Sequence, residues 1–290
     1  MLPLIFGIVP FLLSHQALAQ PYTPICKVVL DGRIPLSATP ATFDAVSPAN
    51  PFNPTYARST NLKWSQILRF PTVTPSVFDW QSKPIEVTIN DKSIYNNQKG
   101  IRRAGLVFSA NSGTDDITNA GVKTFHWSVK QPPVGARPLN LTHEYMNVFH
   151  VRQDDKGFQF QFTVGDAMKP KDPRPFTHFR IIDKNENVAF STLISFKEWQ
   201  NFAVTLDYNR NVMRIYYSTG NDELKEVVGE RPNDNSGKGR FQVGIFKKPT
   251  DVSPDVNTYL NTGFQEADFE ESQIYGGIYV EDSAGNCITK

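Results

Sequence analysis

Glu144 is the carboxylate whose setting in this sequence points most directly to chemistry, because it interrupts a mostly apolar strand pattern at residues 143–151. A carboxylate inside such a strand costs free energy unless it is paired or faces a wet cleft. Two interpretations follow, and they are compatible. Glu144 acts on a ligand in a cleft, or it forms a structural salt bridge with Arg102 or Arg103.

The histidines beyond the N-terminal segment do not form a metal-binding pattern. They are His126, His143, His150 and His178, and no two are spaced as His-x-His or His-x-x-x-His. The sequence also lacks a Walker loop, a dinucleotide-binding glycine pattern and a Gly-x-Ser-x-Gly elbow. We therefore expect neither a metal nor a cofactor.

The elements that must position Glu144 are predicted to be short β-strands. In residues 122–130, Phe125, Trp127 and Val129 alternate with polar side chains, which is the period of a half-buried strand. Similar patterns mark further strands at residues 158–164, 202–206, 212–217, 241–245 and 274–280. Residues 207–211 are predicted to be the turn of a hairpin between the second and third of these. Many short strands separated by Gly- and Pro-rich turns predict an all-β sandwich or barrel.

Strand parity then assigns side chains to the two faces of each strand. We expect the core between the sheets to hold Phe125, Trp127, Phe158, Phe160 and Phe162. We expect a polar cleft to be formed by Glu144, His126, Gln159 and Gln161. In the strand that carries Glu144, parity groups Glu144, Met146, Val148 and His150 on one face.

The N-terminal residues predict a secreted protein. Residues 2–13 are almost all apolar, and Ala17-Leu18-Ala19 provides a small-x-small cleavage pattern, so residues 1–19 are predicted to be a signal peptide. The apolar run is too short to span a bilayer. We expect residues 20–290 to form a single domain that is released outside the cell, into the medium or wall, as a monomer.

Charge and composition favour an uncharged partner. The formal net charge is +1 with 30 basic and 29 acidic residues, which argues against nucleic acid or an anionic membrane. The sequence contains two cysteines, Cys26 and Cys287, and an oxidising compartment predicts a disulfide between them. Asn140-Leu141-Thr142 is a glycosylation sequon.

Eight segments, in order along the chain, resemble those of glycoside hydrolase family 131, a family of fungal secreted β-glucanases. They are residues 84–89, 102–106, 121–126, 137–145, 201–207, 217–219, 233–237 and 275–278, and the similarity extends from about Cys26 to Cys287. The resemblance implies a β-jelly roll and hydrolysis of β-glucan with β-1,3, β-1,6 or β-1,4 linkages. It also implies Glu144 as a catalytic residue and Arg103, Gly105, His126 and His143 as substrate-binding positions.

The sequence departs from the family pattern at the position expected to hold a second catalytic glutamate, which is Gly105 here. Gly105 should face the cleft, because Leu106 and Phe108 are apolar and share the opposite parity. Glycosidic hydrolysis usually requires two carboxylates, and glycine supplies neither a proton nor a lone pair. The residue before Asn201-Phe202-Ala203, a histidine in the family, is Gln200 here.

Three interpretations therefore stay open. The protein is a β-glucanase that uses a substitute carboxylate, with Glu266, Glu270 and Glu271 as candidates. Alternatively, it is a catalytically impaired glucan-binding protein, or a secreted structural protein whose cleft is unused.

Overall fold

The computed structural model describes residues 25–133, 135–152, 157–168 and 176–290, which form an antiparallel β-sandwich of jelly-roll type. The predicted signal peptide lies outside the described residues. In chain order the strands are β1 (Lys27–Asp31), β2 (Ile34–Pro35), β3 (Leu68–Arg69), β4 (Ser82–Lys83), β5 (Ile85–Asn90), β6 (Arg102–Val107), β7 (Val122–Lys130), β8 (Glu144–Arg152), β9 (Phe158–Gly165), β10 (His178–Asp183), β11 (Val188–Leu193), β12 (Gln200–Asp207), β13 (Val212–Thr219), β14 (Lys225–Pro232), β15 (Gly239–Lys247) and β16 (Glu270–Asp282).

Helical structure in the described residues is short. It comprises α1 (Trp64–Ile67), α2 (Val256–Tyr259) and two 3-10 turns at Pro40–Asp44 and Ala284–Asn286. No helix in these parts of the chain is long and apolar enough to cross a membrane.

The strands form two main sheets. The eight-stranded sheet has the order β14-β13-β12-β7-β16-β5-β3, with β1 also paired to β16. The six-stranded sheet has the order β11-β10-β9-β8-β15-β6, and β2 and β4 form a small third sheet. The predicted hairpin is confirmed, since β12 pairs with β13 and Asp207 faces Val212 at its turn end.

Aromatic side chains from both sheets form the core, as strand alternation predicted. Trp127 of β7 stacks on Phe160 of β9, with ring centroids 6.0 Å apart. Trp127 also meets Phe162 edge-on at 5.4 Å, and Phe125 contacts Phe160 at 5.4 Å. These rings pack the two sheets against each other.

Two β-bulges overturn part of the face assignment. In β8, Met146 pairs with Thr163 and Val148 with Phe162, so Asn147 is an extra residue that reverses the alternation. Met146, which precedes the bulge, lies on the outer face in an apolar cluster separate from the main core. Val148 and His150, predicted to share the face of Glu144, instead lie on the inner side, where His150 contacts Phe125 at 5.4 Å.

The second bulge affects Phe158, which was predicted in the core. Val151 pairs with Phe158 and His150 with Phe160, so Gln159 is the extra residue. Phe158 therefore lies on the outer face, where it meets Phe149 edge-on at 5.5 Å. Gln159 is buried, and its amide donates to the backbone oxygens of Asn235 and Gly237 rather than facing a cleft.

The disulfide predicted from the sequence is confirmed: Cys26 is bonded to Cys287, with Cα atoms 5.8 Å apart. The bond closes a loop with a sequence separation of 261 residues. It lies next to the β1–β16 pair, where Lys27 faces Asp282. The termini of the sandwich are thus joined both by a strand ladder and covalently.

Replacing both cysteines with serine should lower the unfolding free energy, because the unfolded chain regains the freedom that the closed loop removes. The chain-entropy model gives about 5 kcal/mol as an upper figure. Thermal unfolding of the double variant, beside wild type with and without reductant, measures the loss. A melting temperature unchanged in both comparisons would show that the bond does not stabilise the fold.

Candidate functional site

Glu144 begins β8 on the outer face of the six-stranded sheet, where its carboxylate is buried in an ion pair. Its Oε1 lies 2.8 Å from Lys248 Nζ, and its Oε2 accepts from the backbone N–H of Met168 at 2.9 Å. The structural partner of Glu144 is therefore Lys248, and not Arg102 or Arg103 as the sequence suggested.

Lys248 is held in its charged state by this arrangement. Burial lowers the pKa of Lys248, but the Glu144 carboxylate, together with Tyr259 and Glu186, outweighs burial, so the net pKa is raised. The ring of Tyr259 lies on another side of the ammonium group, 5.6 Å from Nζ. Protonating Glu144 would leave this buried ammonium without its anion, which is costly in a water-poor setting.

Gly105 lies on β6, and the space above it is filled by a side chain of the neighbouring strand. A Cβ atom built at Gly105 would lie 2.1 Å from Nε2 of Gln242 on β15. Gln242 is held there because Arg103 Nη2 donates to its Oε1 at 2.6 Å. Arg103 in turn packs over the rings of Tyr95 and Phe246, at 5.2 Å and 5.4 Å.

The outward-facing residues around Gly105 are not carboxylates. Gly105 pairs with Gly244 of β15, whose neighbours on β15 and β8 contribute Gln242, Phe246, Met146 and Phe149. Ile101, Tyr259 and Leu260 pack against the apolar members of this group. Gly105 pairs with Gly244, whereas Glu144 lies opposite Lys248. The two positions are therefore four residues apart along the strand direction, or about 13 Å.

His143 links the start of β8 to a buried ionic network between the sheets. Its Nδ1 lies 2.8 Å from the backbone oxygen of Lys248, and its Nε2 lies 2.9 Å from Glu266 Oε1. The side chain of Glu266 is 26% exposed. Glu266 is therefore the member of the acidic segment that connects to the surroundings of Glu144.

Lys247 is the centre of this network and its side chain has 0% exposure. Its ammonium binds Glu266 at 2.6 Å and Glu271 at 2.7 Å, and Tyr145 donates to the other oxygen of Glu271 at 2.7 Å. Lys247 belongs to β15 and Glu271 to β16, so the pair bridges the two sheets.

The charges of this network shift the pKa of its members. Burial raises the pKa of Glu266, but the hydrogen bond from Lys247 and the nearby charges outweigh burial and hold the pKa at about 2. Burial and the Glu271 carboxylate raise the pKa of Tyr145. Glu266 is therefore an anion at neutral pH, a state suited to a base or nucleophile and not to a proton donor.

The remaining acidic candidate, Glu270, lies outside this network. It forms ion pairs with Arg69 and Arg137, at 2.5 Å and 2.9 Å. Asn140, predicted to carry a glycan, is half-buried, and its Nδ2 donates to Glu266 Oε1. Its glycosylation stays a prediction.

His126 does not join the predicted cleft with Glu144, and that prediction is wrong. His126 belongs to β7 of the eight-stranded sheet, so its outward direction is on the opposite side of the sandwich. It is fully buried, stacks on Tyr279 at 4.4 Å, and its Nε2 lies 2.9 Å from Glu281. Glu281 also accepts from the backbone and hydroxyl of Thr289, which anchors the C-terminus.

Sequence reasoning missed Gln242, Lys247 and Lys248, which decide the character of this region. The apolar run 241–246 predicts a strand, and continued alternation would have placed one lysine inward and the other outward. A lysine that alternation directs inward requires a buried anion. The inward position of Lys247 was therefore the sequence feature that could have identified Glu266 and Glu271 as its partners.

Comparison with known proteins identifies the same family as the sequence resemblance. The chain matches the family model of the glycoside hydrolase 131 catalytic N-terminal domain over residues 28–286. Among curated protein sequences, none matches this chain.

Two solved structures share its fold. The catalytic domain of a glycoside hydrolase family 131 protein from Coprinopsis cinerea is 19% identical, with a TM-score of 0.65, covering 91% of this chain and 96% of that one. A GH131 β-glucanase catalytic domain from Podospora anserina is 17% identical, with a TM-score of 0.66, covering 88% and 96%. At these identities the likeness establishes the fold.

Replacing Lys247 with alanine should destabilise the protein by about 3–5 kcal/mol, because two buried carboxylates lose their shared cation. Denaturant unfolding measures the change. Lys238→Ala, which removes an exposed ion pair with Asp116, is the matched control and should cost about 1 kcal/mol or less. Equal losses in the two variants would contradict a structural role for the Lys247 network.

The contribution of Glu266 to stability should vanish in acid. Its folded pKa of about 2 lies below the ordinary value of 4.5, so the folded state favours the anion and the stabilisation is fully present above pH 4.5. It should be lost as the pH falls towards 2. The stability gap between wild type and Glu266→Gln should therefore shrink across this window, when unfolding is measured at several pH values. Glu223→Gln, at an exposed position, should track wild type throughout.

Proposed function

Because this chain belongs to glycoside hydrolase family 131, we propose that it is a secreted protein that binds β-glucan and whose capacity to hydrolyse that polymer is impaired. The surroundings of Gly105 carry this proposal. The outward neighbours of Gly105 on β15 and β8 are amide, aromatic and thioether side chains, with no carboxylate among them. Glycosidic hydrolysis by the usual route requires an acid and a base or nucleophile on opposite sides of the bond.

The state of Glu144 supports the same conclusion. A general acid must carry a proton, whereas Glu144 forms a 2.8 Å ion pair with Lys248 that protonation would break. A nucleophile must reach the sugar, whereas this carboxylate is buried and also accepts from the Met168 N–H. Its bonds suit a structural anion better than either catalytic role.

Several observations support the remaining parts of the proposal. The near-neutral charge of the chain fits an uncharged polysaccharide, and the structurally similar protein from Podospora anserina is a β-glucanase. The proposed linkages, β-1,3, β-1,6 and β-1,4, are those that the sequence resemblance implies. The Cys26–Cys287 bond fits an oxidising compartment, in agreement with the predicted signal peptide. Export to the extracellular space, and action there as a monomer, form part of the proposal.

A second candidate function is hydrolysis by Glu144 and Glu266. His143 favours it, because this residue precedes Glu144 in the chain and contacts Glu266 directly. Glu266 is partly exposed and ionised, as a base or nucleophile requires. Against it, both carboxylates are paired with lysines, so neither is prepared to donate a proton to the leaving group.

Binding and hydrolysis should separate in a direct assay. We expect the protein to co-sediment with insoluble β-1,3-glucan while reducing-sugar release stays at background. Glu144→Gln should leave that background unchanged. Hydrolysis by wild type that Glu144→Gln abolishes, with folding intact, would establish the second candidate and overturn the impairment. Absence of binding to β-1,3-, β-1,6- and β-1,4-linked glucans would overturn glucan recognition itself.

A gain-of-function variant tests the role of Gly105. Gly105 lies in a strand and is absent from the residues with positive φ, so its backbone tolerates a side chain. A glutamate there would collide with Gln242, and we therefore expect Gly105→Glu combined with Gln242→Ala to raise hydrolysis above Gly105→Glu alone. Gln242→Ala by itself is the control. No gain in the folded double variant would show that position 105 is not the missing catalytic position.

A further inference from the structure

A cavity of about 320 Å³ lies on the outer face of the eight-stranded sheet, on the side of the sandwich opposite to Glu144. Its lining includes Val122, Thr205, Asp207, Val212, Ser283 and Ile288. The volume falls at the lower end of the range of about 300–1,000 Å³ that is typical of small-molecule sites.

The charges around the cavity cancel in pairs. Arg210 binds Asp207 at 2.7 Å and Glu230 at 2.9 Å, and Arg214 binds Glu230 at 2.8 Å. Burial raises the pKa of Asp207, but its hydrogen bonds from Arg210 outweigh burial and lower it. Two cations thus face two anions, and the cavity has no excess charge that would select an ionic ligand.

The hydroxyl groups of Thr205 and Ser283 lie in the cavity lining and are joined by a third hydroxyl, that of Thr124. The buried Thr124 hydroxyl lies 2.7 Å from the hydroxyl of Thr205 and 2.5 Å from that of Ser283. When the two hydrogen bonds run in the same sense along the chain of hydroxyls, the lining hydroxyl at one end has a proton to donate and the one at the other end has lone pairs to accept. Such a lining can both donate to and accept from another hydroxyl group.

We infer that this cavity binds a neutral polyhydroxylated ligand, namely one or two sugar units of a glucan chain. Sugar hydroxyls donate and accept as this lining requires, and their charge is zero. The apolar side chains of Val122, Val212 and Ile288 can contact the C–H faces of a sugar ring. The identity of the sugar polymer as β-glucan rests on the proposed function, whereas the polyhydroxylated class rests on the cavity.

A second site on the opposite side of the sandwich affects long and short glucans differently. A short oligosaccharide cannot reach both faces, whereas a polymer network contacts both at once and gains affinity from the high effective concentration of the second contact. Removing the cavity should therefore weaken binding to insoluble glucan more than binding to an oligosaccharide on the Glu144 face.

The test is a titration of ¹⁵N-labelled protein with a β-1,3-linked glucose trisaccharide, followed by amide chemical shifts. We expect shifts at residues 122, 205, 212 and 283–288. Thr205→Val and Ser283→Ala each remove one lining hydroxyl and should weaken the interaction about threefold to tenfold. Thr192→Val, on β11 of the other sheet, is the control and should bind as wild type does. Inorganic phosphate serves as the ionic probe.

The outcomes separate this inference from the proposed function. Shifts confined to the surroundings of Glu144 and Gly105 would uphold glucan recognition there and overturn the cavity site. Shifts at the cavity that persist unchanged in both hydroxyl variants, or tighter binding of phosphate than of trisaccharide, would also overturn it. Shifts at the cavity without co-sedimentation on any β-glucan would uphold the polyhydroxylated class and overturn the proposed polymer.

Discussion

The ammonium group of Lys247 has no contact with solvent, and this buried cation constrains the region of the molecule that would hold a ligand. Removing such a charge from water is unfavourable unless anions and hydrogen bonds replace the lost hydration. Glu271, from the other sheet, and Glu266, from the segment before β16, supply that replacement. The position of Lys247 therefore fixes how the two sheets meet at this end and where His143 and the start of β8 lie.

The lysine next to this ionic bridge also binds Glu144, the residue for which the sequence resemblance implies a catalytic role. Lys247 ends β15 and Lys248 follows it directly, so their side chains point to opposite faces of the sheet. Lys247 binds Glu266 and Glu271, and Lys248 binds Glu144. The inward pair joins the sheets and the outward pair secures the end of β8. Glu271 and Glu144 are thus both engaged by lysines and buried, and neither side chain is left free in an open cleft.

The packing of the core in this chain does not depend on the side chains of the outer face around Gly105. The core rings of Trp127, Phe160 and Phe162 lie between the sheets, and the outer-face position Gly105 makes no contribution to them. The space above Gly105 on the outer face is filled by Gln242, so the side chains of this face can vary while the packing of the core is kept. The cavity on the opposite sheet shows the same independence, since its hydroxyl chain is built on β7 and β12 far from β6 and β8.

The sequence by itself determined seven of the sixteen strands in the described residues, the core rings of β7, the β12–β13 hairpin, the terminal disulfide and the family, because alternation, turn residues and ordered motifs are local properties of the chain. It did not determine the faces of Val148, His150 and Phe158. One-residue bulges at Asn147 and Gln159 reverse the alternation, and a bulge arises from pairing with another strand.

Sheet membership separated His126 from Glu144, although both follow the expected parity within their strands. The ion pair of Glu144 with Lys248 and the occupation of the Gly105 site by Gln242 join residues more than 100 positions apart, so only the tertiary structure decided them. Parity within a strand is set by adjacent residues, whereas register, sheet order and the partner of a buried charge are set by strands distant in the chain.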